Sequence, residues 1–310
     1  MIDITLLGTS ALVPLPERAL TAALLTCAGR SILFDCGEGT QTAARTAGVS
    51  LMKTDLIALT HYHGDHIFGL PGLLQTMNSM GREAPLYITG PDGLKESMAP
   101  LMQLVGWTGY EIRFLAWPQS PYPLCDVIPG WPGEAALCAF PTEHRTPSQG
   151  YAFTLSRPGK FMPEKAKALG VPVTLWGMLQ KGNEVSFDGV SVSPHQVVGP
   201  PRRGLKFVFT GDTMACPSVT EGAKGADLLI CEATYGENEQ AQLAIDHGHM
   251  NFAQAAQTAA DAGARLLWLS HYSQMIQDPE TYLPLAQSIF PFAQCGRDGM
   301  QITLEFDKDS

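Results

Sequence analysis

His61-Tyr62-His63-Gly64-Asp65-His66 closes a short apolar run, Leu56 to Leu59, and puts three imidazoles and a carboxylate within six residues. The chain has eight histidines, at 61, 63, 66, 144, 195, 247, 249 and 271, so this one hexapeptide holds three of them. A lone histidine is more often a hydrogen-bonded partner in a core or on a surface, but this density after a strand points to metal. On a turn, His61 and His63 can face one side while Asp65 and His66 reach the other. One loop can therefore seed two adjacent cation positions.

Two cations held close together need a shared anionic ligand and further imidazoles. His144, Asp212 in Phe209-Thr210-Gly211-Asp212-Thr213, and His271 in Leu269-Ser270-His271-Tyr272-Ser273 are the candidates. Taken singly each is weak, because an aspartate in a Gly-Asp-Thr turn is more often a capping residue. Their joint placement at strand ends gives them weight.

Around these residues, short apolar runs alternate with helical stretches, an α/β pattern without solenoid repeats. Ile4 to Leu7, Ala22 to Cys27, Ser31 to Phe34, Leu56 to Leu59, Lys206 to Thr210, Leu228 to Cys231 and Leu266 to Ser270 read as strands. Asn251, with Gln254 three residues on and Gly263 as a stop, predicts a helix over 252–262. The stretch 156–204 breaks the rhythm with six prolines and reads as an insertion. From Arg157 to Lys206 it holds eight Lys or Arg against three acids, a local +5. That is either a solvated face or a basic arm for a polyanion's phosphates. Gly37-Glu38-Gly39-Thr40 lacks the third glycine of a dinucleotide site and reads as a tight turn, and there is no P-loop or GxSxG elbow.

The 310 residues, 45% hydrophobic and 16% charged, suffice for a sizeable core. A net charge of −10 argues against a uniformly basic nucleic-acid coat and leaves only a local patch. Seven cysteines without a CxxC pair suggest neither a disulfide framework nor a zinc ribbon, and fit a reducing cytoplasm. Met1-Ile2-Asp3 lacks a basic leader and no long apolar run offers a span, so the expectation is an unexported protein with no membrane partner.

The hexapeptide, Leu6 to Arg18, Leu24 to Gln41, Gly211-Asp212-Thr213, Glu232-Ala233-Thr234 and Leu269 to Ser273 come in an order that resembles the metallo-β-lactamase superfamily. Gly69 to Gln75, Glu164 to Pro172, Leu179 to Gly182 and Val197 to Gly204 extend the resemblance over nearly the full length to ribonuclease Z, the tRNA 3′-processing endonucleases. The resemblance implies an α/β fold, the αββα sandwich, as a single domain over 1–310 with an inserted basic arm at 156–204. It implies two zinc ions per chain, with manganese or iron as alternatives. His61, His63 and His144 would hold one ion, Asp65, His66 and His271 the other, and Asp212 would bridge them. Asp65 would also accept a proton, and His249 supported by Glu232 would be the general acid, with His247 a bystander. Precursor tRNA is the expected substrate and a homodimer the expected assembly.

Some positions depart from the family's pattern. Cys231 stands where the family has a His before the Glu, and Met250-Asn251 where it has Ser-Thr. Met275 falls near an Arg position, and Pro172-Val173 replaces a Gly-Pro step. These bear on substrate more than on metal. The alternatives are therefore a hydrolase of small phosphodiesters such as cyclic nucleotides, and a non-catalytic RNA-binding relative.

Overall fold

The computed structural model describes residues 1–308. In chain order the strands are Ile2–Gly8 (β1), Ala22–Cys27 (β2), Arg30–Phe34 (β3), Thr54–Ala58 (β4), Leu86–Thr89 (β5), Ile112–Leu115 (β6), Tyr122–Pro123 (β7) and Ala135–Pro141 (β8). They continue as Gln149–Arg157 (β9), Val185–Phe187 (β10), Val190–Val192 (β11), Arg202–Phe209 (β12), Leu228–Glu232 (β13), Leu267–Ser270 (β14), Ala293–Cys295 (β15) and Gln301–Leu304 (β16). One sheet runs β16-β1-β2-β3-β4-β5-β6 and the other β15-β14-β13-β12-β9-β8-β7. Each has a parallel half, β3 to β6 and β12 to β15. The carboxyl ends of parallel strands share one edge, which is where open α/β sheets place their ligands.

Phe34, at the end of β3, ties the two sheets together. Its ring lies 5.9, 5.4 and 5.7 Å from those of Tyr151, Phe207 and Phe209 on β9 and β12. Packed tilted rings of this size dominate such a core. On the outer faces, helices Leu70–Ser79 and Leu94–Val105 cover the first sheet. Helices Pro217–Ala223 and Phe252–Ala262 cover the second. The result is the expected αββα sandwich.

All seven expected strands form, with ends shifted by a few residues. The helix over 252–262 has the boundaries its caps predict: Asn251 Oδ1 accepts from Gln254 N, the Gln254 side chain returns the bond, and Gly263 ends it at φ 61°. β5, β6, β8 and β9 carry no such local signature. β8 is rich in alanine, and β6 is a partly exposed edge strand, so their pairing comes from neighbours.

Met1–Thr154 with Leu205–Glu305 form one compact unit, and Leu155–Gly204 with the residues from Phe306 form another. The second has its own small core of Ala166, Val171, Leu179, Val185, Val192 and Val197, and the hairpin β10-β11. Within it Arg157 donates to the Asp307 carbonyl at 2.8 Å and Arg203 lies 3.7 Å from the Asp307 carboxylate. Lys160, Lys165 and Lys181 are exposed. Lys206, the last residue of the basic stretch, belongs to the first unit, where its ammonium donates to the Lys224 carbonyl at 2.9 Å.

Candidate metal centre

Five strand ends deliver the expected residues. His61 and His63 follow β4, Asp212 follows β12, Glu232 ends β13 and His271 follows β14, while Asp65 and His66 lie on the single turn Gly64–Ile67. His144 comes from the loop after β8. The chain turns sharply here, and His271 sits in the left-handed region at φ 57°. For a non-glycine residue that costs about 1–3 kcal/mol, supplied by the surrounding packing.

The donors gather in overlapping groups around Asp212, which also forms a third group with His249 and His271. His61, His63, His144 and Asp212 each offer an atom within 4.8 Å of the others, and so do Asp65, His66 and His271. His61 Nε2 lies 3.0 Å from His63 Nδ1, and His144 Nε2 lies 3.4 Å from the same His63 atom. On the other side His66 Nε2 and His271 Nε2 are 3.3 Å apart, with Asp212 Oδ1 at 3.3 and 3.2 Å from them. Asp212 Oδ2 turns towards His61 Nε2 at 3.8 Å. Its two oxygens thus face different groups.

The arrangement fits divalent cations. Asp65 and Asp212 are 6 and 3% exposed, a concentration of buried negative charge that needs positive compensation. Asp212 Oδ1 is buried without a hydrogen-bond partner. Burial, reinforced by the charge on His66, pushes His61 well below its usual pKa, and burial also lowers His63. Both are left as neutral imidazoles, the form that ligates metal. Burial also opposes charge on His66, yet Asp212 and Asp35 outweigh it and hold that ring well above its ordinary range. Burial works against the Asp212 and Asp65 carboxylates, but the adjoining His271 and His66 keep both ionised far below the usual range.

Partners outside the two groups set their orientation. Asp35 Oδ2 accepts from His66 Nδ1 at 2.7 Å, and the Gly248 carbonyl accepts from His144 Nδ1 at 2.8 Å, so both rings present Nε2 inward. Leu12 N–H donates to Asp65 Oδ2 at 2.8 Å. Asp35 and Thr234 were missed by sequence reasoning. Asp35 ends an apolar strand as a turn residue would, and its φ of 54° is the only local sign of anything else. Thr234 Oγ1 donates to Glu232 Oε2 at 2.6 Å and lies 3.0 Å from His271 Nδ1.

His249 stands beside this cluster, its ring stacked on His271 with centroids 5.6 Å apart and 4.9 Å from His144. Its Nδ1 donates to Glu232 Oε1 at 2.9 Å. Burial alone would discharge the ring, but Glu232 outweighs it and lifts the pKa to about 9. Glu232 is itself fixed by the amides of Thr213 and Met250, at 2.7 and 3.0 Å. His247 lies outside the metal groups and is hydrogen-bonded to the Tyr235 hydroxyl. Of the positions that depart from the pattern, Cys231 and Met250 are fully buried in the core, Asn251 caps its helix, and Met275 is 80% exposed.

The beta-lactamase superfamily domain matches residues 193–272, and the family described as Anti-Pycsar protein Apyc1 matches residues 2–98. Ribonuclease Z of Lachnoclostridium phytofermentans is 41% identical over 309 residues, covering 100% of both chains. Ribonuclease Z of Clostridium tetani is 42% identical over 312 residues, covering 99% of each. The crystal structure of human tRNase Z, short form, is 26% identical with a TM-score of 0.67, over 98% of this chain and 100% of that one. A diphosphatase of the PhnP family shares the fold at 15% identity and a TM-score of 0.66, over 98% of each chain.

Proposed function

The chain belongs to the ribonuclease Z family and is a metal-dependent hydrolase, and on that premise we propose that it is an endoribonuclease removing the 3′ trailer of precursor tRNA. The observation that carries the reading is that Asp212 faces both sets of imidazoles, Oδ1 at 3.3 and 3.2 Å from His66 and His271 and Oδ2 at 3.8 Å from His61, with His249 held alongside by Glu232 at 2.9 Å. In this reading His61, His63 and His144 hold one cation, Asp65, His66 and His271 the other, and Asp212 both. Zinc is the proposed metal, two ions per chain, with manganese or iron as substitutes. When bound, such a pair lowers the pKa of water and neutralises charge growing on the phosphoryl oxygens.

The side chains carry the proton transfers. Asp65, anchored by the Leu12 amide at 2.8 Å, is the proposed acceptor of the attacking water's proton. His249 gives its proton to the departing 3′-oxygen, and Glu232 keeps that ring charged and aimed until it does. A leaving alkoxide is a poor leaving group in water, so a positioned acid contributes about 10²–10⁴-fold. The basic stretch of 156–204 is the proposed grip on tRNA phosphates, and a cytoplasmic homodimer the proposed working form. Among the described residues, no helix is long and apolar enough to cross a membrane.

The test is cleavage of a precursor tRNA by protein loaded with zinc or manganese, mapped at nucleotide resolution. Cutting just after the discriminator base is expected. Hydrolysis of small phosphodiesters with intact precursor tRNA throughout would overturn the proposal.

A further inference from the structure

Three polar side chains unused by the reaction above lie around His249: Tyr235, His247 and Arg145. Tyr235, three residues after Glu232, is pinned by its backbone: its N–H donates to the Met250 carbonyl at 3.2 Å and its carbonyl accepts from Phe252 N at 3.1 Å. Its ring is 6.4 Å from that of His249 and 6.0 Å from that of His247, and its hydroxyl meets His247 Nδ1. Arg145 comes from the facing loop, next to His144. It is exposed, and its Nη2 donates to the Asp246 carbonyl at 2.7 Å. The two segments interlock at Gly248, whose φ is +76° and where a Cβ would lie 2.9 Å from His144 Nδ1. Burial raises the Tyr235 phenol, and Arg145 is near enough to oppose that rise.

We infer that Tyr235, His247 and Arg145 form a subsite for the leaving nucleotide, the ribonucleotide whose 3′-oxygen departs. The inference rests on the phosphodiesterase reading above. In-line displacement sends the departing oxygen to His249, so the nucleoside attached to it meets what surrounds that ring: Tyr235 at 6.4 Å, His247 bonded to the Tyr235 hydroxyl, and Arg145, the chain neighbour of His144, whose ring is 4.9 Å from that of His249. Their chemistry suits such a group. The Tyr235 ring offers a stacking face for a base, His247 and the phenol offer hydrogen bonds to ribose or base, and the Arg145 guanidinium suits the nucleotide's 5′-phosphate. A purely structural pair closing the helix Ala241–His247 would not discriminate between substrates.

The experiment compares a 5′-phosphorylated diribonucleotide with bis(p-nitrophenyl) phosphate, using metal-loaded wild type, Arg145→Ala, Arg145→Lys and Tyr235→Phe. Arg145→Ala is expected to lower kcat/KM for the diribonucleotide about tenfold more than for the aryl diester, with partial rescue by Lys. Tyr235→Phe should show a smaller bias of about threefold in the same direction. Removing the substrate's 5′-phosphate should reproduce the Arg145→Ala loss in wild type and abolish any further effect of the variant. Independently of turnover, adenosine 5′-monophosphate should bind Arg145→Ala about tenfold more weakly than wild type. Equal losses on both substrates, or unchanged nucleotide affinity, would overturn the subsite. Cleavage of the diribonucleotide without cleavage of precursor tRNA would sink the tRNA reading and leave the subsite standing.

Discussion

The carboxylate of Asp35 and the imidazole of His66 lie 2.7 Å apart, and both side chains are fully enclosed. Asp35 also accepts from the amide and hydroxyl of Thr60, at 2.7 and 2.8 Å, so its orientation has no slack. It fixes the His66 ring with Nε2 turned towards Asp212 Oδ1, 3.3 Å away.

Replacing Asp35 should therefore act on metal through His66. Asp35→Asn is expected to weaken affinity for the second cation about 10–100-fold, as for other partners of metal-bound histidines. Competition with a chromogenic zinc chelator reads this directly; unchanged affinity would refute the orienting role.

His63 gives a clean test of ligation, because its side chain is exposed whereas His61 is fully buried. His63→Ala should fold normally by circular dichroism, bind less than the wild type's expected complement of about two metals, and lose hydrolysis by at least ~10³-fold. Full metal content with full activity in this variant would remove it from the ligand set.

His249 should reveal itself through the leaving group. His249→Ala is expected to slow RNA cleavage about 10²–10⁴-fold. An aryl diester, whose phenolate leaves without a proton, should lose less than about tenfold. Equal slowing of both substrates would mean that His249 does not act as the acid.

Stability should fall at alkaline pH for a reason separate from catalysis. Burial pushes the thiols of Cys36 and Cys295 up to about 12, against 9.0 for the free group. The folded state keeps these protons longer, so the stability they contribute is full below pH 9 and is lost as pH rises from 9 towards 12. Each thiol gives a slope of about 1 kcal/mol per pH unit there. Urea midpoints from pH 8 to 11 should show this slope, reduced in Cys36→Ala; an identical slope in the variant would be the contrary result.

Removing 158–201 tests the arm. Gly204 packs so tightly on Leu155 that a Cβ there would lie 2.5 Å from the Leu155 carbonyl oxygen, so a short linker can rejoin the ends. The shortened protein should lose at least about tenfold more affinity for folded tRNA than activity on a small diester, because remote contacts serve only the large substrate. Parallel losses would assign the arm a structural part.

Local chemistry made much of this protein legible in its sequence. Three imidazoles and a carboxylate packed into 61–66 after an apolar strand make sense chiefly as metal ligands, since a core or a surface rarely needs so many in one turn. The helix 252–262 carries both of its caps, and each cap acts within four residues of itself. What depended on distant partners was not legible. His66 and His271 are 205 residues apart and meet only because β4 and β14 end at the same edge of two packed sheets. Asp35 reads as a turn residue until burial at 0% exposure makes its charge depend on His66. His247 and His249, two residues apart, are separated in the sequence only by resemblance; the physical reason, that His249 bonds to Glu232 and His247 to Tyr235, belongs to the fold. Spacing along the chain determined which groups were available for chemistry; burial and strand pairing, which are properties of the folded whole, decided which of them face one another and in what protonation state.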